Sequence, residues 1–278
     1  MSLVNMRNLL AQAELENKGC GAFNVGNMEM VRGVIRAAED EGTPIIIQIA
    51  EENLEYSPLE LMGPMMINSA MNASVDVAVH LDGGKSIDNI KKALELGFTS
   101  VMYDGSSKPY ETNVSETKAV VKLAKQYGAS VEGQMGTIGK CGDVPDSKHK
   151  LTRPGAAGQF VRDTGVDALA VAIGNLYGEY SSTPMMNYEI LDKIHANVDV
   201  PLVLHGGSSL SSDEFAQLVQ HGIRKINIAT ASYNALSKAA EKYEQLTLLP
   251  NFSGLNMAMT DGVCENVRKY IKIFTGKQ

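Results

Sequence analysis

The 278-residue sequence has no tryptophan, three cysteines, and fewer basic than acidic side chains: 25 Lys and Arg against 32 Asp and Glu. The resulting net charge of −7 argues against a polyanion-binding surface, and no basic run with interleaved aromatics reverses that. Neither nucleic acid nor an anionic membrane is therefore an expected partner. Cys20, Cys141 and Cys264 are odd in number and far apart, with no C-x-x-C pair, which argues against a disulfide framework or a cysteine-bound metal. No apolar run reaches the roughly 18–20 residues of a membrane span. The opening stretch MSLVNMRNLLAQAELEN lacks an apolar core of signal-peptide length. Its apolar positions Leu3, Met6, Leu9, Leu10 and Ala13 recur instead at helical spacing. A reduced, cytoplasmic protein is expected.

What remains is an ordinary globular composition, 44% hydrophobic and 21% charged, with a rhythm running from end to end. Short β-branched runs at 21–25, 45–49, 76–80, 100–103, 129–133, 168–173, 202–205 and 225–228 read as strands. Between them lie helical patterns at 28–41, 58–72, 86–96, 114–127, 156–164, 188–196, 211–220 and 232–244. The runs are apolar without strict alternation, as parallel strands covered on both faces are. An open doubly wound sheet usually carries G-x-G-x-x-G after its first strand, whereas this chain reads Phe23-Asn24-Val25-Gly26-Asn27 there. Eight βα units in a chain close to the roughly 250 residues of such a fold predict a (β/α)8 TIM barrel, one domain over 1–278. Two segments break the rhythm. Residues 134–154 form a long polar loop of the kind that serves as a lid, and residues 245–278 add a tail with a helix around 265–274.

Strand C-termini build the only large cleft of a barrel, so polar residues there mark a site. Asn24, Gln48, His80, Asp82, Asp104, Glu132, Gln134, Asn175, Tyr177, His205, Asn227 and Thr230 all fall at or near such ends. That set is too polar for core filling. Gly206-Gly207-Ser208-Ser209 runs into a helix with a capping start, and glycine-freed N–H groups near a helix start favour an anion. The alternative is an ordinary glycine-rich turn with a serine cap.

AFNV (22–25), HLDGG (80–84), DGS (104–106), VEGQMGTIGK (131–140), AVAIGNLYGEY (170–180), LHGGSS (204–209) and KINIAT (225–230) resemble the class II ketose-bisphosphate aldolases. The resemblance spans nearly the whole chain. It implies that Asp82 is the acid/base and that Glu132 lies near the metal, a catalytic candidate beside Asp82. For phosphate and substrate it implies Asn24, Gly178, Gly206, Ser208, Asn227 and Thr230. It also implies a dimer or tetramer acting on a phosphorylated sugar. The zinc site that it implies is incomplete: of three histidines only His205 is kept, the others being Gly83 and Tyr177. The second glutamate of the family motif is Gln134, and a lysine often found after G-x-Y is Ser181.

Aldol cleavage of a ketose breaks C3–C4 and gathers electrons on the C2 oxygen, which zinc stabilises through three protein ligands and an open position. Glycine offers no donor, and a phenol with an ordinary pKa near about 10 is a poor ligand. The zinc is thus expected to be lost, or replaced by an ion held by His205, Asp104 and Glu132, an oxygen-rich set suited to Mg²⁺ or Mn²⁺. His80 reads as an orienter of neighbouring groups. No lysine among Lys85, Lys140 and Lys225 is placed for a Schiff base, Lys225 beginning its strand at the far end. Tyr177 remains as a hydrogen-bonding catalyst. The expected activity is a carbon–carbon lyase on a ketose phosphate with altered or absent zinc dependence. The alternatives are a non-catalytic sugar-phosphate-binding relative or a metal-free isomerase or epimerase.

Overall fold

Parallel pairing closes eight strands into a ring in a computed structural model that describes residues 2–141, 150–178 and 185–277. They are β1 (Cys20–Asn24), β2 (Ile45–Ala50), β3 (Val77–Asp82), β4 (Ser100–Tyr103), β5 (Ser130–Met135), β7 (Ala168–Val171), β9 (Leu202–Leu204) and β10 (Ile223–Ile228). The ring runs in chain order, and β10 closes it against β1 through Ala22 opposite Asn227. All eight overlap the strands expected from the sequence, because isoleucine- and valine-rich runs suit strands covered on both sides. Two short strands, β6 (Gly139–Lys140) and β8 (Leu176–Tyr177), pair separately above the barrel.

Helices α2 (Met28–Asp40), α3 (Leu59–Asn72), α4 (Ile87–Glu95), α5 (Tyr110–Gln126), α6 (Pro154–Thr164), α7 (Tyr188–His195), α8 (Ser212–Gln220) and α9 (Thr230–Leu246) separate the strands. Their starts are fixed locally: the side chains of Asn27, Ser86, Asn187 and Ser211 each accept from a backbone N–H of the first turn. Ser211 and Glu214 complete a reciprocal capping box. The last helix, α10 (Phe252–Thr275), is much longer than the 265–274 segment expected, because its apolar stripe begins weakly before Thr260. It packs across α2 and α9.

Two apolar clusters result. The larger lies between the ring and the helices, with Phe23, Ile47, Val79, Phe160 and Phe215 fully buried. The smaller fills the lower half of the barrel, where Ala22, Ile46, Ala78, Met102, Ala170 and Val203 meet Met6, Leu9 and Leu10 of α1 (Met6–Glu16). The N-terminal helix thus stops the bottom of the barrel, and its buried positions are those of the helical period seen in the sequence.

The loop expected over 134–154 is shorter than expected. Strand β5 continues to Met135 and residues 139–140 form β6, while residues 142–149 lie outside the described part. So does Ser181. Among the described residues no helix is long and apolar enough to cross a membrane.

Candidate active site

Above the apolar plug the inward positions turn polar. Alternation carries Ala22 to Asn24, Ile46 to Gln48, Ala78 to His80 and Asp82, and Met102 to Asp104. Of these, Asn24, Asp82 and Asp104 border a cleft of about 870 Å³ at the C-terminal ends of the strands, and Gln48 and His80 lie buried behind it. Asn24, Asp82, Asp104 and Gln134 form one part of its wall, and Tyr177, Gly178, His205, Gly206, Ser208, Asn227 and Thr230 another.

Asp82 stands at the centre. Its Oδ2 accepts from Asn24 Nδ2 at 2.9 Å and Gln48 Nε2 at 3.2 Å, and its Oδ1 accepts from Asn227 Nδ2 at 3.2 Å. Gln48 also donates to Asn24 Oδ1 at 2.8 Å, so amides from β1, β2 and β10 fix one carboxylate. His205 lies beside it, its Nδ1 3.9 Å from Asp82 Oδ1. Asn175 steadies the backbone there by donating to the His205 carbonyl at 2.9 Å.

Glu132 is not on the cleft lining. It is fully buried beneath His205, whose Nε2 pairs with Glu132 Oε1 at 2.7 Å. The expectation of a directly acting Glu132 therefore gives way to a supporting place. A carboxylate donates nothing, so His205 carries the proton on Nε2 and leaves Nδ1 towards the Tyr177 hydroxyl, 3.4 Å away.

Lys225 is the residue that the sequence reading misplaced. The strand begins two positions earlier, at Ile223, and the register slips between Ile223 and Lys225. That irregularity turns Ile223 outward and Lys225 inward. Its fully buried side chain then climbs the barrel axis, placing Nζ 2.9 Å from Glu132 Oε2 and 2.6 Å from Asn227 Oδ1. The available signal was the two-residue step to Asn227, which puts both on one face. The apolar pattern could not show how high the long stem reaches.

Electrostatics follow from this burial. For Glu132, burial alone would raise the carboxyl, but the Lys225 charge and the His205 hydrogen bond together hold it well below the usual carboxylate range. His80, fully buried, is pushed well below its ordinary value by burial first and by Lys225 second, so it is neutral. Its Nδ1 meets Ser100 Oγ at 2.9 Å, and its Nε2 lies 3.6 Å from Glu132 Oε2. Tyr177 is raised well above 10 by burial, then by Asp82, Asp104, Glu132 and Glu52. Its phenol stays protonated and is a hydrogen-bond donor.

Asp104 reaches the cleft with Oδ1 engaged by Ser106, through its N–H at 3.0 Å and its hydroxyl at 2.6 Å. Gly83 has φ +61°, with open space where a Cβ would stand. Among the described residues no group of three or more His, Cys, Asp or Glu is gathered so as to hold a metal ion. His205 and Glu132 are bonded to each other, and Asp104 does not join them. The described donor set does not fit the three-ligand zinc site.

The anion-directed turns lie together. After β9, Gly206 takes φ +74°, and a Cβ there would sit 2.0 Å from the Leu176 carbonyl. Ser208 follows in a short 3-10 turn, 207–209. Helix α9 begins with no side-chain cap at Thr230, which borders the same cleft. Asn53 and Tyr233, joined at 2.8 Å, also border the cleft and went unnoticed in the sequence.

The fructose-bisphosphate aldolase class-II model matches residues 4–278. A fructose-bisphosphate aldolase of Staphylococcus aureus is 34% identical over 243 residues, 86% of this chain and 85% of the relative. A 6-phospho-5-dehydro-2-deoxy-D-gluconate aldolase of Bacillus licheniformis is 35% identical over 234 residues, 83% and 80% of the two chains. In three dimensions the YdjI aldolase of Escherichia coli K12 superposes with a TM-score of 0.89 at 34% identity, over 98% of this chain and 97% of that one. Closed barrel, ordered motifs and full-length match agree that this chain belongs to the class II fructose-bisphosphate aldolase family.

Proposed function

We propose that the chain is a carbon–carbon lyase that cleaves a ketose phosphate, with Asp82 as the proton-transferring group and protein donors in place of zinc. The observation that carries this reading is the Asp82 carboxylate, fixed by three amides beside a protonated phenol. Asp82 accepts the proton of the C4 hydroxyl; the C3–C4 bond breaks, C4 leaves as an aldehyde, and the electron pair collects on the C2 oxygen. Tyr177 O–H and Asn227 Nδ2–H, bordering the same cleft as Asp82, are the donors that serve that oxygen, and a well-placed donor of this kind contributes about 3–4 kcal/mol. Glu132 and Lys225 act from below: the first orients His205, the second keeps the carboxylate neutralised. The phosphate rests on the Gly206–Ser208 turn, Gly178 and the start of α9 at Thr230. The ordered acid favours an enzyme over a purely binding relative.

The test is retro-aldol cleavage of a panel of ketohexose phosphates before and after chelation. Asp82→Asn is expected to lose about 10²–10⁴ in rate, the range of general acid–base catalysis. Chelated protein is expected to keep its activity and to carry substoichiometric zinc. A tightly bound zinc on every chain, with activity abolished by its removal, would overturn the metal-independent reading and leave ordinary class II cleavage.

A further inference from the structure

The two sides of the cleft differ in what they can hydrogen-bond. Around the ring β10 stands opposite β4, with three strands between them on either side. The turns after β9 and β10 offer backbone N–H groups and hydroxyls. The wall across from them, after β4 and on β5, offers acceptors. Gln134 Nε2 donates to Ser106 Oγ at 3.1 Å and to the Gly136 carbonyl at 3.3 Å. Ser106 Oγ has given its own proton to Asp104, and a carbonyl can only accept, so the Gln134 amide cannot be flipped. Its Oε1 is left without a partner on a side chain 2% exposed in the cleft wall. A buried acceptor left unpaired costs about 1–3 kcal/mol unless a ligand supplies a proton to it. Asp104 stands beside it, and Glu52, on the loop after β2, adds a second carboxylate near enough to Tyr177 and Tyr233 to raise both phenols.

We propose that the cleft takes a ketose bearing a single phosphate, and that Gln134, Asp104 and Glu52 bind the hydroxyl groups of its unphosphorylated end. The inference rests on the reading of the Gly206–Ser208 and Thr230 turns as the phosphate end. A hydroxyl donates to Gln134 Oε1 and to either carboxylate. A second phosphate, carrying a charge of about −1.5 to −2 near neutral pH and mostly without a proton to give, meets acceptor lone pairs and negative charge. Four carboxylates, Glu51, Glu52, Asp82 and Asp104, border the described cleft, against Lys85 and Lys140 at its exposed mouth. Glu51 is engaged in holding the N–H groups of Lys85 and Ser86, so Glu52 is the carboxylate at the rim available to oppose an anion.

Calorimetric titration of the full chain with ketohexose 1-phosphates, their 1,6-bisphosphates and dihydroxyacetone phosphate decides this. At least one 1-phosphate is expected to bind tenfold or more tightly than its bisphosphate. Gln134→Leu is expected to weaken that ligand fivefold or more and to leave dihydroxyacetone phosphate within twofold. Glu52→Gln, on an exposed side chain whose loss spares the fold, is expected to narrow the discrimination at least threefold. Bisphosphates binding as well as or better than 1-phosphates would overturn the proposal while leaving the aldolase reading standing. Failure of dihydroxyacetone phosphate itself to bind would overturn the phosphate end, and this inference with it.

Discussion

Glu132 is ionised and His80 neutral inside one buried layer of the barrel. The carboxylate is kept ionised by Lys225 and by His205, while the imidazole beside it is kept neutral by burial. Both arrangements stabilise the fold only on the alkaline side of their unfolded values. An unfolded histidine takes up a proton near about pH 6.5, but buried His80 does not, so the unfolded chain binds more protons below that point. Stability from this group is complete above that pH and is lost as the pH falls towards the depressed folded value. The Glu132 contribution, present above about pH 4.5, is lost below it in the same direction. Denaturant midpoints followed from about pH 8 to pH 5 should therefore fall, at up to about 1.4 kcal/mol per pH unit for one group. His80→Gln should flatten that slope. An unchanged slope in the variant would remove His80 as its source.

The turn after β9 shows how one element ties backbone form to ligand chemistry. Gly206 has no room for a side chain and has left-handed φ, so Gly206→Ala must shift either this turn or the strand β8 beside it. The expected cost is of the order of 1–3 kcal/mol in stability, together with weaker binding of inorganic phosphate. A variant that binds phosphate unchanged would place the anion elsewhere. The form of this turn was legible in the sequence because paired glycines favour a turn with left-handed φ. The eight strands were legible for a similar reason: continuous Ile and Val runs mean little else in a chain with regular helical intervals. Element ends were less so. Helix α5 starts at Tyr110, just after Pro109, and not near Val114, since a solvent-facing first turn has no apolar period to reveal it. The inward turn of Lys225 depends on an irregularity at Arg224, whose guanidinium bonds back to the carbonyls of Val219 and Ile223. Nothing in the residue types around Arg224 announces that slip.

At the scale of the whole molecule, α1 is the stopper on which the lower core depends. Met6, Leu9 and Leu10 join Ala22, Ile46 and Ala78 in one cluster, and the two alanines are too small to fill the bore alone. Leu10→Ala should cost about 2–5 kcal/mol, read from denaturant unfolding, with a cavity opening at the bottom and the upper cleft unaltered. A loss under about 1 kcal/mol would show that the bore repacks without the helix. At the other mouth, β6 and β8 join by the pairing of Gly139 with Leu176 and Lys140 with Tyr177, and the Cys141 N–H closes on the Tyr177 carbonyl at 2.8 Å. Segments from two different βα units are thereby yoked. Whatever displaces the chain following β5 must carry the Tyr177 phenol along, so occupancy at the rim and alignment of that hydroxyl form one mechanical variable.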